Sequence, residues 1–431
     1  GIQSVIDGGT ELQNYIANAT NVPGDSQQTI LAAVISGKTG LALPSAPSGI
    51  SVAVGYESRT LKTDYRPDLP SRTGDRSGSG GATLALSGSY DVNEYFFEVG
   101  VPVTDSLSAE IGYRYADYST DNTTDAYKVG VYWQAHEDVS LRASYQTSSR
   151  HASLTGLYRA QGFGLVDLDD DPCGESKTRS QAECANTGLA SDLYGTDLKS
   201  PADQYNIRTG GNPEVAPEES TSVTAGLVVT PTLLPGMTFT VDYFSIEVLD
   251  GIGSIPATTS LTKCLETGNS AFCNLINRNP VNGSLWLTGG YISTQTTNLS
   301  EETVEGVDII FSYNMDTRFG NLLLEGVTTR LTSSELIELP GEKALKCAGY
   351  WGAACGKNPL SKWSGNYKAT LSTAYEADVS LSVRYLGNTD DLNTSNPIDF
   401  DSQSYLDMAV GWSPFENYQA RFGTVSYTHL R

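Results

Sequence analysis

Residues 93–150 read NEYFFEVG VPVTDSLSAE IGYRYADYST DNTTDAYKVG VYWQAHEDVS LRASYQTSSR, and this stretch decides the fold. It holds four consecutive segments in which apolar and polar residues alternate. Tyr95, Phe97, Val99 and Val101 share one face, opposite Glu94, Glu98 and Gly100. Leu107, Ala109, Ile111, Tyr113 and Tyr115 oppose Ser108, Glu110, Gly112 and Arg114. Tyr127, Val129, Val131 and Trp133 oppose Lys128, Gly130 and Gln134, and Val139, Leu141, Ala143 and Tyr145 oppose Ser140, Arg142, Ser144 and Gln146. Side chains on a strand point alternately to its two faces, so each segment predicts a strand with one face in an apolar medium. The connections at 103–106 and 136–138 are short and turn-like in composition.

Each run is about ten residues, close to what a tilted strand needs to cross a hydrocarbon layer and longer than the usual soluble strand. A soluble β-sandwich alternates too, so alternation alone leaves both architectures open. Loop asymmetry separates them. A sandwich has medium connections at both ends, whereas an outer-membrane barrel has tight turns on one side and long loops on the other.

The same pattern recurs almost from end to end, which predicts one extended architecture over residues 1–431 and no linker. Mean hydropathy is -0.26. No run of eighteen apolar residues exists, which excludes a helical membrane protein but not a barrel, whose polar lumen dilutes the average. The net charge of -23 excludes nucleic acid as a partner, because phosphate binding needs Lys and Arg. Tyrosine occurs 24 times against 11 for Phe, with many near strand ends, as at Tyr113, Tyr115, Tyr145, Tyr313 and Tyr385. That placement suits a membrane interface and equally the ordinary strand preference of aromatics.

Residues 1–28 read as loop and 29–35 as a weak first strand, followed by a strand at 50–60 and a long loop at 64–88. Beyond the four deciding strands, 150–218 is the longest connection, and its length requires a function. Strands resume at 221–229 and 237–248, and a helix-like piece at 260–276 precedes a strand-like 285–297. Strands at 307–313 and 321–332 pair across a turn, a third long loop covers 335–364, and four regular strands fill the rest, with a loop at 387–401. Alternating strand direction puts every long loop on one side, provided that 285–297 is an excursion of the outer loop or the upper part of the following strand rather than a separate spanning strand. The count is then roughly fourteen spanning strands, an open sheet too large to be comfortable without closure. The expected class is therefore all-β, an antiparallel transmembrane β-barrel with long extracellular loops.

Six cysteines fall as local pairs within single long loops: Cys173 with Cys184, Cys264 with Cys273, and Cys347 with Cys355. Disulfides that staple those loops in an oxidising compartment are the natural reading. A metal site would need close CxxC or His partners, and His136, His151 and His429 are not near. The glycines of 74–81 are followed by no helix and make no phosphate loop. The acidic run 167–171 offers oxygen ligands to Ca²⁺ but lacks the spacing of a dedicated loop, and a solvated acidic loop is the simpler reading. Glu110, Arg114 and Asp242 fit the lining of a wet interior better than a catalytic constellation. No enzyme and no cofactor is expected.

The segments GSYDVNEYFFEV (88–99), LRASYQTSSR (141–150), GNPEVAPEES (211–220) and Gly306-Val-Asp308 with Asn298 upstream resemble the successive signatures of TonB-dependent outer-membrane receptors. The resemblance runs in order over nearly the whole chain, and Gly-Asn-Pro-x-x-x-Pro-Glu-x-Ser is its most specific piece. It implies a twenty-two-stranded barrel closed by an N-terminal plug domain, of which this chain is a part. It also implies outer-membrane lipid of a Gram-negative bacterium as surroundings, and a scarce nutrient as ligand: an iron-siderophore, cobalamin or an oligosaccharide. Import would be energised by the TonB-ExbB-ExbD complex of the inner membrane. The chain starts at Gly1 without a leader and shows no plug, and 426–431 fits no closing strand, so both ends are expected to be truncated. A passive channel or autotransporter-like barrel and a secreted all-β adhesin or enzyme are the competing functions.

Under the receptor reading, selectivity resides in the loops 153–212, 251–283 and 336–363, because binding groups concentrate on loops held by a rigid frame. These loops offer Tyr158, Phe163, Tyr194, Tyr205, Trp351 and Trp363 for stacking on a planar or sugar-like ligand, and Arg159 and Arg208 for its anionic groups. Each of these residues is also open to a packing role within its own loop.

Overall fold

The computed structural model describes residues 20–46, 48–74, 82–339, 341–352, 355, 358–392, 397–415 and 417–425. Its strands are β1 (Gly24–Lys38), β2 (Ser51–Tyr65), β3 (Leu86–Pro102), β4 (Leu107–Tyr118), β5 (Asn122–His136), β6 (Val139–Arg150), β7 (Gly162–Asp167) and β8 (Gln204–Thr209). There follow β9 (Glu218–Val229), β10 (Met237–Gly253), β11 (Ile276–Asn277), β12 (Tyr291–Ser293), β13 (Thr297–Thr317), β14 (Gly320–Ile337) and β15 (Leu345–Lys346). The last are β16 (Tyr350–Trp351), β17 (Trp363–Thr373), β18 (Ala377–Leu386), β19 (Asp390–Asp391), β20 (Gln403–Phe415) and β21 (Tyr418–Val425). One sheet runs β1-β2-β3-β4-β5-β6-β9-β10-β13-β14-β17-β18-β20-β21, with β15 attached to β14. The fourteen strands of that path form the wall, and each pairs antiparallel with the next, as in a meander whose strands were joined by hairpins and loops.

Register turns the alternation of single strands into two continuous faces. Leu107 lies opposite Trp133, Trp133 opposite Leu141, Leu141 opposite Leu227, Leu227 opposite Val241, and Val241 opposite Ile309. This row crosses six strands without a charge. The apolar face is exposed: Ile111, Val129, Val131 and Trp133 each keep more than two fifths of their surface. On the other face the same strands carry ion pairs. Lys128 meets Glu110 at 2.6 Å, and Arg114 meets Glu94 at 2.5 Å. A soluble sheet would cover the apolar face and wet the polar one. Here the apolar face has no protein cover among the described residues, as a wall that faces lipid requires.

The fully buried side chains gather above the wall, in the loops. One cluster contains Leu189, Leu198, Tyr205, Leu261, Leu285 and Ile292, and a smaller one sits at the mouth of the wall around Val92, Ala116, Leu157 and Val215. Connections at 66–85, 151–217, 254–296, 338–362 and 387–402 all leave the same end of the wall, together with the tight turn 119–121. The opposite end has 103–106, 137–138, 230–236, 318–319, 374–376 and 416–417, and one longer link, 39–50.

The structure adjusts several local expectations. Of the strand-like 285–297, Tyr291–Ser293 is a strand of a separate loop sheet and Thr297 opens β13, so the segment adds no strand to the wall count. Leu285 is buried in the loop cluster, which explains an apolar pattern unrelated to the wall. The first strand is longer than 29–35, because polar Ser26, Gln27 and Gln28 ladder with Thr63, Lys62 and Leu61. The segment 64–88 is not wholly loop: it holds a helix, Leu69–Thr73, capped by Asp68, whose side chain accepts from the Ser71 amide. The single helix expected at 260–276 is two, Ala257–Thr267 and Ser270–Cys273, because Gly268 takes the left-handed conformation between them (φ 62°). Residues 1–19, most of 74–81 and 426–431 lie outside the described residues.

Candidate functional site

The site is built from the roots of the loops upward. Arg150 ends β6 and Glu218 begins β9 directly opposite it, so the two ends of loop 151–217 meet in a bidentate pair, Nε to Oε2 at 2.5 Å and Nη2 to Oε1 at 2.6 Å. Glu218 Oε1 also accepts from the Ile252 amide at 2.6 Å, which brings in β10 and the start of the second loop. Asn298, at the start of β13, completes the tie: its amide donates to Ala216 O (3.0 Å) and Asp250 O (2.8 Å), and its carbonyl accepts from the Ala216 amide. Asn212 donates to Thr296 O at 3.1 Å, and its backbone amide to Gly156 O. A Cβ at Gly211 would come within 2.5 Å of Leu157 O, so only glycine fits there. The string 211–220 and Asn298 thus form a clamp where four loop ends converge.

Above the clamp, loops 151–217 and 254–296 fold together. β7, β8, β12 and β11 form a four-stranded sheet, with β8 from the first loop parallel to β12 from the second. Disulfides Cys173–Cys184 and Cys264–Cys273 close turns within each loop, and Cys347–Cys355 closes one in the third. Both sulfurs of the first pair are in the shared core, and Leu339 brings the third loop into it. Asp171 and Arg278 are almost wholly buried and paired, with Nη1 2.7 Å and Nη2 3.1 Å from the carboxylate. The guanidinium also donates to Thr187 Oγ1 and Gly283 O. The acidic run 167–171 is therefore not a uniformly solvated loop, since its last carboxylate is the core's buried anion. Nearer the surface, Arg179 bonds Glu266, and Lys263 bonds Glu342 of the third loop.

Local electrostatics follow from these contacts. The Ser180 hydroxyl and amide hold the Glu183 carboxyl below its ordinary range and close a capping box on the helix Gln181–Asn186. Burial pushes the Tyr205 phenol up and the His151 imidazole down. His151 packs against both Tyr118 and Tyr90, with ring centroids 4.3 and 4.9 Å away, and its Nε2 bonds Thr120 Oγ1 at 2.8 Å.

The eight sequence-predicted ligand residues do not form one cluster. Tyr158 lies over Gly88 at the mouth of the wall, and Arg159 donates to Thr209 Oγ1 at 2.6 Å. Tyr194 donates to Arg179 O, with Lys177 over its ring. Tyr205 is wholly buried, its oxygen accepting from the Ser200 amide at 3.2 Å, so it is a core residue with no surface for a ligand. Trp351 donates to Ile398 O and leans on Phe400. Trp363 shares the apolar wall face with Tyr367, four residues on, and has Arg330 over its ring, which is an interface position. Phe163 and Arg208 are brought together as register partners on β7 and β8. The sequence reading missed Tyr291 and Gln161, which complete their group, and Glu218 and Asn298, whose signature it noted without a role.

A meander of fourteen long strands, bare and apolar outside, charged inside and crowned by stapled loops at one end, is the architecture of an outer-membrane barrel. The sequence agrees in detail. The profile of TonB-dependent receptor-like β-barrels matches residues 6–425, and the chain belongs to that family. In fold it resembles the ferric enterobactin receptor of Pseudomonas aeruginosa, at 12% identity and TM-score 0.62 over 93% of this chain and 48% of that one. It also resembles the siderophore receptor PirA of Acinetobacter baumannii, at 12% identity and TM-score 0.58 over 95% and 51%. The chain thus spans about half the length of these solved receptors. No curated protein matches it in sequence.

Proposed function

We propose that this chain is the barrel part of an outer-membrane receptor that captures a scarce small-molecule nutrient on its outer loops and imports it with energy from the TonB-ExbB-ExbD complex, through an N-terminal plug domain in the full-length protein. One observation carries the reading. Two loops from different parts of the chain share a core, a sheet and a clamp above the wall, and a third docks on them. A passive pore has no need of so much ordered protein over its mouth. Stapling and co-folding lower the ordering cost of binding, which is what a receptor for a dilute ligand requires. The solved structures that it resembles in fold are a ferric enterobactin receptor and a siderophore receptor, which supports an iron chelate ahead of cobalamin or an oligosaccharide.

Deleting 164–193 from the full-length receptor tests this reading. It removes one disulfide and a wall of the loop core but no wall strand. The expected result is a barrel that still migrates as a folded, heat-modifiable species, in cells that no longer take up the nutrient. Unchanged uptake would move ligand capture away from these loops.

A further inference from the structure

The loop sheet has two unlike faces. Val166, Tyr205, Ile207 and Ile292 turn inward to the shared core. The alternate residues Phe163, Leu165, Arg208 and Tyr291 are displayed, with Phe163 61% and Leu165 47% exposed. Phe163 and Tyr291 meet edge to face at 5.6 Å, and the Arg208 guanidinium lies 5.7 Å from the Tyr291 ring centre. Arg208 donates to the Tyr291 hydroxyl at 3.2 Å and to Gln161 Oε1, both neutral. Among the described residues no carboxylate lies within ion-pair reach of it, although the chain carries a net charge of -23 and eight other arginines are ion-paired. A guanidinium has five N–H donors, so most of its capacity is unspent while neutral groups fix its direction.

We infer that this face is a binding subsite for a small ligand that carries a planar ring next to an anionic oxygen. Phe163 and Tyr291 take the ring, and Arg208 takes the oxygen. This rests on the receptor reading, because it assigns chemistry to the ligand that the loops capture. Aromatic surface alone would accept any apolar group. The oriented, uncompensated guanidinium selects an anion, and its position beside two rings selects one with the charge close to a flat surface.

The test uses the full-length receptor in detergent, with benzoate (planar, anionic), cyclohexanecarboxylate (anionic, not planar) and benzyl alcohol (planar, neutral) as probes in saturation-transfer NMR. Benzoate should bind best. Its affinity should fall about tenfold or more in Arg208→Gln, the loss expected for one charge-assisted bond, and comparably in Phe163→Ala. Hydrogen exchange over 162–209 should match the native protein in both variants. Failure of benzoate to bind, or equal binding by Arg208→Gln, overturns the inference. Equal binding of benzyl alcohol does so too, and would mark the face as an apolar contact for another protein surface. Failure here with uptake still abolished by the 164–193 deletion would sink the subsite and leave the receptor reading standing. Benzoate binding with uptake intact after deletion would leave the subsite standing and move nutrient capture away from these loops.

Discussion

Arg142 on β6 reaches over β9 to grip Asp242 on β10, with Nε 2.9 Å and Nη2 2.5 Å from the two carboxylate oxygens. The strand between them contributes Gly226, in register with both, and a Cβ there would sit 1.9 Å from Asp242 Oδ1. Glycine is what lets an ion pair span three strands on the lumen face. Gly226→Val should therefore cost about 1–3 kcal/mol through displaced side chains and backbone. Asp242→Asn should cost under about 1 kcal/mol, because Arg142 is half exposed to solvent. Urea midpoints of the refolded full-length protein compare the two, and the reverse order would refute the steric account.

The two faces of β5 should respond differently to charge. Val131 is in the apolar face between Ala109 and Ala143, and Arg in its place should cost about 2–4 kcal/mol if it sits at the membrane midplane. The neighbouring Gly130 faces Glu110, and a Cβ there would meet only the flexible end of that side chain. Gly130→Ala should accordingly shift the Glu110–Lys128 pair with little effect on folding into vesicles. Equal sensitivity at 130 and 131 would mean that the faces are misassigned.

Arg278→Met leaves Asp171 as a buried charge without a partner, which costs about 3–5 kcal/mol when a pair of this kind is broken on one side. The loss should be confined to the loops. Hydrogen exchange should accelerate across 171–189 and 276–292 while β4 to β6 keep their protection. The double change with Asp171→Leu should recover part of the loss, since it removes the stranded charge.

The His151 ring is kept neutral by burial, so its folded pKa lies below that of the unfolded chain. On acidification the unfolded form takes up its proton first, and the stabilisation that is fully present above about pH 6.5 declines as pH falls toward the folded pKa. Proteolysis at the start of loop 151–217 should rise over that interval. His151→Phe keeps a ring against Tyr90 and Tyr118 and should flatten the profile. A variant with the native pH dependence would assign the effect to another group.

The wall was legible in the sequence because lipid enforces a single rule, strict alternation over a fixed span, on every strand that crosses it. Residues 107–133 obey that rule so closely that register alone extends it to Leu227 and Ile309. The cysteine pairs were legible as well, since each lies within one loop. Inside the loops the rule lapses. Tyr205 and Phe163 are both loop aromatics, and only the pairing of β7 with β8 sends one into the core and the other outward. The alternation of Phe163, Leu165 and Asp167 was a usable signal for that short strand. Nothing local marks Asp171 as the partner of Arg278, 107 residues away. Tyr291 was hidden in a stretch whose apolar residues serve a different sheet.

The clamp at Glu218 and Asn298 gathers the four ends of two loops onto neighbouring strands β6, β9, β10 and β13. Everything above it, two loops with their own core, staples and buried charge, is rooted on the wall at this seam and at the small apolar cluster beside it around Val92, Ala116, Leu157 and Val215. Such a unit is a cassette. It can accumulate substitutions, or be exchanged whole between relatives, while the wall answers only to the bilayer. Changes to the loops and changes to the wall are thereby separate structural problems, joined at a handful of side-chain contacts.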